Sequence, residues 1–184
     1  FACAGACLGF WAILAGRLPV PRMSRHARMG RTALLMPVYN EDPEHIFAAL
    51  ERMGRALQWQ GAQRHFDFFV LSDTRLPDVA VQEEKCFRDL RHALQGEMGI
   101  FYRRRTNNHH RKAGNIADFV TRWGGAYDHM IVLDADSEMS GEVLVSLAQS
   151  MAADPEAGII QSLPLLRNRW TPFARMTQFA GRVY

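Results

Sequence analysis

The chain has 184 residues, 48% apolar and 22% charged, which fits one folded domain and excludes a disordered or collagen-like segment. Three cysteines, Cys3, Cys7 and Cys86, without a CxxC pair exclude a disulfide scaffold and a cysteine-zinc fold. The formal charge of +3 is unevenly placed: residues 1–40 hold five arginines and no acid, and the other 144 hold 17 basic and 19 acidic side chains. This argues against a nucleic-acid partner, whose binder carries its charge on the folded domain.

The pattern begins with residues 1–16, FACAGACLGFWAILAG, which carry no charge. A complete span needs about 20 apolar residues, so this run is expected to be the end of a transmembrane helix in a longer chain. Arg17, Arg22, Arg25, Arg28 and Arg31 follow it, and the positive-inside rule places segment 17–31 in the cytoplasm. A secretory signal peptide would carry its basic region before the apolar run. A buried soluble helix is the other reading of these residues.

From residue 32 strands and helices alternate. Thr32–Met36 is an apolar run ending at Pro37 and reads as a buried strand. Asp42-Pro43-Glu44 opens a helix with a cap, a first-turn proline and a first-turn acid. Ile46, Phe47, Leu50, Met53 and Leu57 form its apolar face, and Gly61 stops it. Phe66–Leu71 is a second strand. Pro77-Asp78 opens a helix whose apolar residues are Val81, Cys86, Phe87, Leu90 and Leu94. Ile100–Tyr102 is a third strand. Ile116, Phe119, Val120 and Trp123 mark a third helix, closed by Gly124-Gly125. Met130–Leu133 is a fourth strand, Leu144, Leu147 and Met151 mark a fourth helix ended by Asp154-Pro155, and Gly158–Ile160 begins a fifth strand. This alternation predicts an α/β fold with a mostly parallel sheet.

In such a sheet the site lies beyond the carboxyl ends of the strands. There the sequence places Asn40-Glu41-Asp42, Ser72-Asp73, and Asp134-Ala135-Asp136. Asp42 also reads as a helix cap. Acids gathered on one rim repel one another unless something compensates them, and a divalent cation would do so. Asp134 and Asp136, alternate residues at a strand end, make a hard oxygen pair suited to Mg²⁺ or Mn²⁺; a solvated loop is the alternative. Segment 102–117 holds Arg103, Arg104, Arg105, Arg111 and Lys112 with no acid, which fits a phosphate clamp or a solvated basic loop. Lys112-Ala113-Gly114-Asn115 opens the third helix, where free N–H groups favour a diphosphate. His109 and His110 are adjacent and unsuited to sharing one ion. No GxGxxG follows the first strand, and neither a P-loop nor a GxSxG elbow occurs.

Pro37-Val38-Tyr39-Asn40-Glu41, Leu71-Ser72-Asp73, Lys112-Ala113-Gly114-Asn115, Val132-Leu133-Asp134-Ala135-Asp136 and Ile160-Gln161-Ser162 occur in that order. This set resembles the family 2 glycosyltransferases of the cellulose-synthase type, over about residues 31–184. The stretches FVLSDTRLPD, IFYRRRTNNHHRKAGNIADF and MIVLDADSEMSG resemble the branch that builds the backbone of osmoregulated periplasmic glucans. The resemblance implies a GT-A, Rossmann-like sheet over residues 32–184 and an inverting transfer from UDP-glucose. The growing glucan would be the acceptor, and membrane lipid and periplasmic glucan-processing proteins would be partners. The location would be the bacterial inner membrane, multi-pass, with a cytoplasmic catalytic domain. It further implies Tyr39 and Glu41 in the nucleotide pocket, Asp73 on uracil, Lys112 and Asn115 at the diphosphate, Asp134 at the ribose or phosphate edge, and Asp136 on the metal. The family's TED-like base and QxxRW acceptor motif do not occur before Tyr184, so the base is expected outside these residues. A nucleotide-sugar-binding module without catalysis is the alternative. A haloacid-dehalogenase phosphatase fits less well, because its DxD follows the first strand of the domain.

Overall fold

The computed structural model describes residues 28–95 and 98–162. Residues 23–155 cluster as one compact unit, and Glu156 begins a second. The elements of the first unit run β1 (Thr32–Val38), α1 (Pro43–Trp59), β2 (Phe66–Ser72), α2 (Pro77–Ala93), β3 (Ile100–Arg104), α3 (Arg111–Trp123), β4 (His129–Val132) and α4 (Gly141–Ala153). All strand pairs are parallel and the order is β3-β2-β1-β4. The central strands β1 and β2 are buried along their whole length, as their unbroken apolar runs require.

Pro37 does not end β1, which continues to Val38. The carbonyl of Leu35 accepts from Leu133 N–H, so residues 35 and 37 both face β4. The β1–β4 register runs only as far as Leu35–Val132. The N–H that Pro37 lacks therefore falls where that ladder has already stopped.

α1, α2 and α4 cover one face of the sheet. Ile46, Leu50, Met53 and Leu57 of α1, Leu90 of α2 and Leu144 of α4 join Leu34, Met36, Phe68 and Val70 in the larger core. Among the described residues α3 is the one helix on the other face, over Ala33, Leu35, Phe69 and Leu71. The helix start at Asp42 is as expected: its Oδ1 accepts Glu44 N–H at 3.0 Å.

Three expectations are corrected. Val81 is not on the buried face of α2 but 69% exposed; Ala80, Glu83 and Leu90 are the buried positions. The stripe is set one residue earlier than the apolar count suggests, because it includes a glutamate. The third helix starts at Arg111, one residue ahead of the Lys112 expected to open it. Gly158–Ile160 is not a strand: it makes no ladder among the described residues, and Ile159 is 88% exposed.

The span expected over 1–16 and most of the basic segment 17–31 lie outside the described residues. Among the described residues no helix is long and apolar enough to cross a membrane.

Candidate functional site

The chain places β1, β2 and β3 in succession and then crosses to put β4 on the other side of β1. The order of connection reverses between β1 and β4, and ligands of open α/β sheets bind at such a switch point. Loops from the carboxyl ends of the strands frame two clefts there, of about 1120 Å³ and about 620 Å³.

The first loop follows β1. Asn40 is left-handed at φ 59°, and its Oδ1 accepts the N–H groups of Arg75 at 2.9 Å and Leu76 at 3.2 Å. Its own N–H donates to Thr74 Oγ1 at 3.0 Å. Asparagine tolerates this backbone region, and here its amide joins the loops after β1 and β2. Tyr39 is half exposed at the mouth of the larger cleft, and its N–H donates to the Glu41 carboxylate. Glu41 borders both clefts.

The second loop carries Asp73, which lines the larger cleft yet is 5% exposed. Arg105 grips it with two bonds, Nε to Oδ1 at 2.6 Å and Nη2 to Oδ2 at 2.8 Å. Beneath this loop lies Glu83 of α2, 1% exposed. It accepts from Ser72 Oγ at 2.7 Å, Thr74 Oγ1 at 2.5 Å and Tyr102 Oη at 2.8 Å. Burial, and then the bond to Glu83, raise the Tyr102 phenol well above the ordinary tyrosine range. Glu83 and Arg105 were not singled out by sequence reasoning. One reads as a solvated helix residue and the other as one cation among five, and no local pattern separates them.

The opposite wall is the arm leading into α3. His110 and Arg111 are left-handed at φ 57° and 48° and line this cleft, and Asn40, the other non-glycine residue with positive φ among the described residues, lies between its lining residues Tyr39 and Glu41. Such strain concentrates at functional sites. No side chain caps α3; Arg111 N–H donates to Asn108 O at 3.0 Å, whereas the N–H groups of Lys112 and Ala113 have no such loop partner among the described residues and suit an anion. Gly114 sits one turn in, where a Cβ would run into the His109 carbonyl oxygen.

The basic arm is not a free clamp. Arg103 bonds Asp118 at 2.5 Å and Asn115 Oδ1 at 2.5 Å, Arg105 holds Asp73, and Lys112 pairs with Asp134. Arg111 remains exposed on the cleft wall. The acidic rim is thus compensated by Arg105, Lys112 and the capping role of Asp42, and it does not by itself demand a metal. Asn115 is 1% exposed, and its Nδ2 donates to Leu71 O at 2.8 Å. Its amide is engaged at both ends as a pin between α3 and β2.

Asp134 and Asp136 lie just past β4, in the turn closed by Ser137 N–H on Asp134 O at 2.9 Å. The turn, not the strand pleat, brings both to the smaller cleft beside Glu41, Asp42 and His45. Asp136 is exposed and carries no ion pair among the described residues. Among those residues no three acidic, histidine or cysteine side chains could enclose an ion. The exposed Asp136 carboxylate does fit Mg²⁺, which is commonly held by one or two carboxylates and completed by phosphate oxygens.

The family model described as Glycosyl transferase family 2 matches residues 33–183. The chain belongs to glycosyl transferase family 2. Its relatives include a glucans biosynthesis glucosyltransferase H of Vibrio cholerae, 51% identical over 176 residues, 96% of this chain and 24% of that protein. A Shewanella protein of the same name is 47% identical over 177 residues, again 96% of this chain and 24% of the relative. The family 2 chain therefore spans about a quarter of the length of these curated relatives. Among solved structures, the Pyrobaculum calidifontis mannosyltransferase PcManGT, in complex with GDP-Man and Mn²⁺, matches with a TM-score of 0.64 and 16% identity. That match covers 84% of this chain and 42% of the mannosyltransferase, and shows that the family 2 chain has the GT-A-like sheet.

Proposed function

We propose that this chain is the donor-binding part of an inverting glucosyltransferase that takes glucose from UDP-glucose and adds it to a growing β-glucan. The product would be the backbone of osmoregulated periplasmic glucans. The observation that supports this most is the larger cleft at the switch point. One wall offers an aromatic ring and carboxylates, and the other a helix N-terminus with Arg111 and Lys112. A nucleoside diphosphate needs both of those chemistries. Relatives of about half identity over almost the whole chain carry the name glucosyltransferase.

In this reading Tyr39 packs on the nucleoside and Glu41 borders it. Asp73 accepts a hydrogen bond from the base. Lys112 and the free N–H groups of α3 receive the diphosphate, and Asn115 holds α3 in place for them. Asp134 faces the ribose or phosphate edge. Asp136 would hold Mg²⁺ or Mn²⁺, which when bound neutralises charge on the departing UDP. The acceptor hydroxyl, losing its proton to a general base, attacks the anomeric carbon from the face opposite UDP as the bond to UDP breaks, so configuration inverts. The working location would be the bacterial inner membrane, with this domain on the cytoplasmic side and membrane lipid around the rest of the protein. Periplasmic glucan-processing proteins would be further partners.

Calorimetry of UDP binding to the intact protein, with and without Mg²⁺, tests this. Asp136→Asn keeps the shape and removes one charge, so the gain in UDP affinity from Mg²⁺ should largely vanish. An unchanged metal dependence in that variant would show that Asp136 is not the ligand.

A further inference from the structure

We propose that Arg105 is a positioning residue that sets base specificity in the donor site: it presents Asp73 to the cleft as a fixed ionised acceptor, favouring the N3–H of uracil over the bare N3 of cytosine. This rests on the uridine reading of the larger cleft.

The geometry carries it in three steps. Both Asp73 oxygens accept from Arg105, at 2.6 and 2.8 Å, which fixes the carboxylate plane. Each oxygen keeps a further lone pair. The Asp73 backbone is fixed as well, because its N–H donates to Val38 O at 2.9 Å. Asp73 therefore has little freedom to turn toward a different base edge.

Second, Arg105 is itself held. Its N–H donates to Ser72 O at 3.0 Å, and Nη2 donates to Arg111 O at 3.0 Å. One side chain thus links the base end of the cleft to the start of α3, where the diphosphate would lie. Its guanidinium is raised further above the ordinary range by the bond to Asp73, so it remains a cation.

Third, stability alone does not account for the pair. The two side chains are only 12% and 6% exposed. Replacing a buried ion pair with apolar residues of similar size is often neutral or stabilising. Ionised acceptors of defined orientation do matter for recognition. Uracil offers N3–H between two carbonyls, whereas cytosine offers a lone pair at N3 that a carboxylate repels. Of the neighbouring charges, Arg103 of β3 is committed to Asp118 of α3, and Glu83 of α2 to the hydroxyls of Ser72 and Thr74. Lys112 of α3 pairs with the exposed Asp134 rather than with Asp73. The carboxylate that faces the base is thus governed by Arg105.

The test is calorimetric titration of UDP and CDP into the intact protein with divalent metal chelated, for wild type, Arg105→Gln and Arg105→Lys, with thermal melting of each. Wild type should prefer UDP. Arg105→Gln should lower UDP affinity about 10- to 100-fold while CDP affinity changes little, so the preference collapses. Arg105→Lys keeps the charge with one prong and should fall between them. A purely structural residue would lower both affinities together, and that outcome, or an unchanged UDP-to-CDP ratio, overturns the role of Arg105. Should Arg105→Gln fail to melt cooperatively, Arg105→Lys decides: a ratio equal to wild type overturns the proposal. A wild type that shows no preference for UDP overturns the uridine reading itself.

Discussion

At the scale of single residues, Glu83 shows how a buried charge supports a site it does not face. Three hydroxyl donors hold its carboxylate at 2.5–2.8 Å, and through Ser72 and Thr74 it holds the backbone on either side of Asp73. Tyr102 is the donor whose ionisation can be followed. Its folded pKa is raised above the unfolded value near 10, so its contribution to stability is complete below about pH 10 and is lost as pH rises beyond that. Phenolate absorbance in an alkaline titration should show a late-ionising component that Tyr102→Phe removes. Tyr127 is raised for the same reasons, first burial and then its bond to Asp67, and should contribute a second late component. If every tyrosine of the folded protein ionises near pH 10, the burial of these phenols has been misjudged.

At the scale of elements, α3 departs most from what its composition suggests. A glycine in the first turn of a helix is ordinarily worth replacing, since Ala is favoured by about 0.5–1 kcal/mol. Gly114 reverses that sign because a Cβ there meets the His109 carbonyl oxygen. Gly114→Ala should destabilise by about 1–3 kcal/mol. Gly125→Ala, at a position with open space around it, should stay within about 0.5 kcal/mol of wild type. Urea denaturation of both variants checks this, and equal midpoints would show that the approach at Gly114 is not tight. Element order was legible in the sequence because β1, β2 and α1 each have a strong local signal: an unbroken apolar run, or a cap followed by a regular stripe. The start of α3 was legible to within one residue from Lys112-Ala113-Gly114-Asn115, although Arg111 and Lys112 carry no apolar mark. The fifth strand was read into a run that is too short. The acids of the rim were legible as strand-end residues. Their partners were not, because Asp73–Arg105 and Lys112–Asp134 are separated by 32 and 22 residues. Five cations within residues 103–112 look alike in sequence whether they are solvated or paired.

At the scale of the whole unit, the sheet is covered unequally, and the functional arm lies on the thinner side. Among the described residues three helices cover one face and α3 the other, where Met130 and Val132 of β4 are 47% and 39% exposed. α3 buries only two side chains fully, Asn115 and Phe119. The amide of Asn115 ties it to β2, and the ring of Phe119 meets Phe69 edge-on at 4.7 Å. Those two anchors hold the helix whose first turn faces the larger cleft. Phe119→Ala should therefore cost about 3–5 kcal/mol, with the loss concentrated in α3 rather than shared with the sheet. Met53→Ala, in the larger core, should cost about 2–5 kcal/mol without singling out α3. Hydrogen exchange followed by mass spectrometry separates the two. In Phe119→Ala the amides of 111–123 should exchange far faster while those of β1 and β2 stay protected, and UDP affinity should fall with them. In Met53→Ala the loss of protection should be general, and the folded fraction should bind UDP as wild type does. If α3 amides in Phe119→Ala stay as protected as those of β1, the arm is held by more than these two side chains.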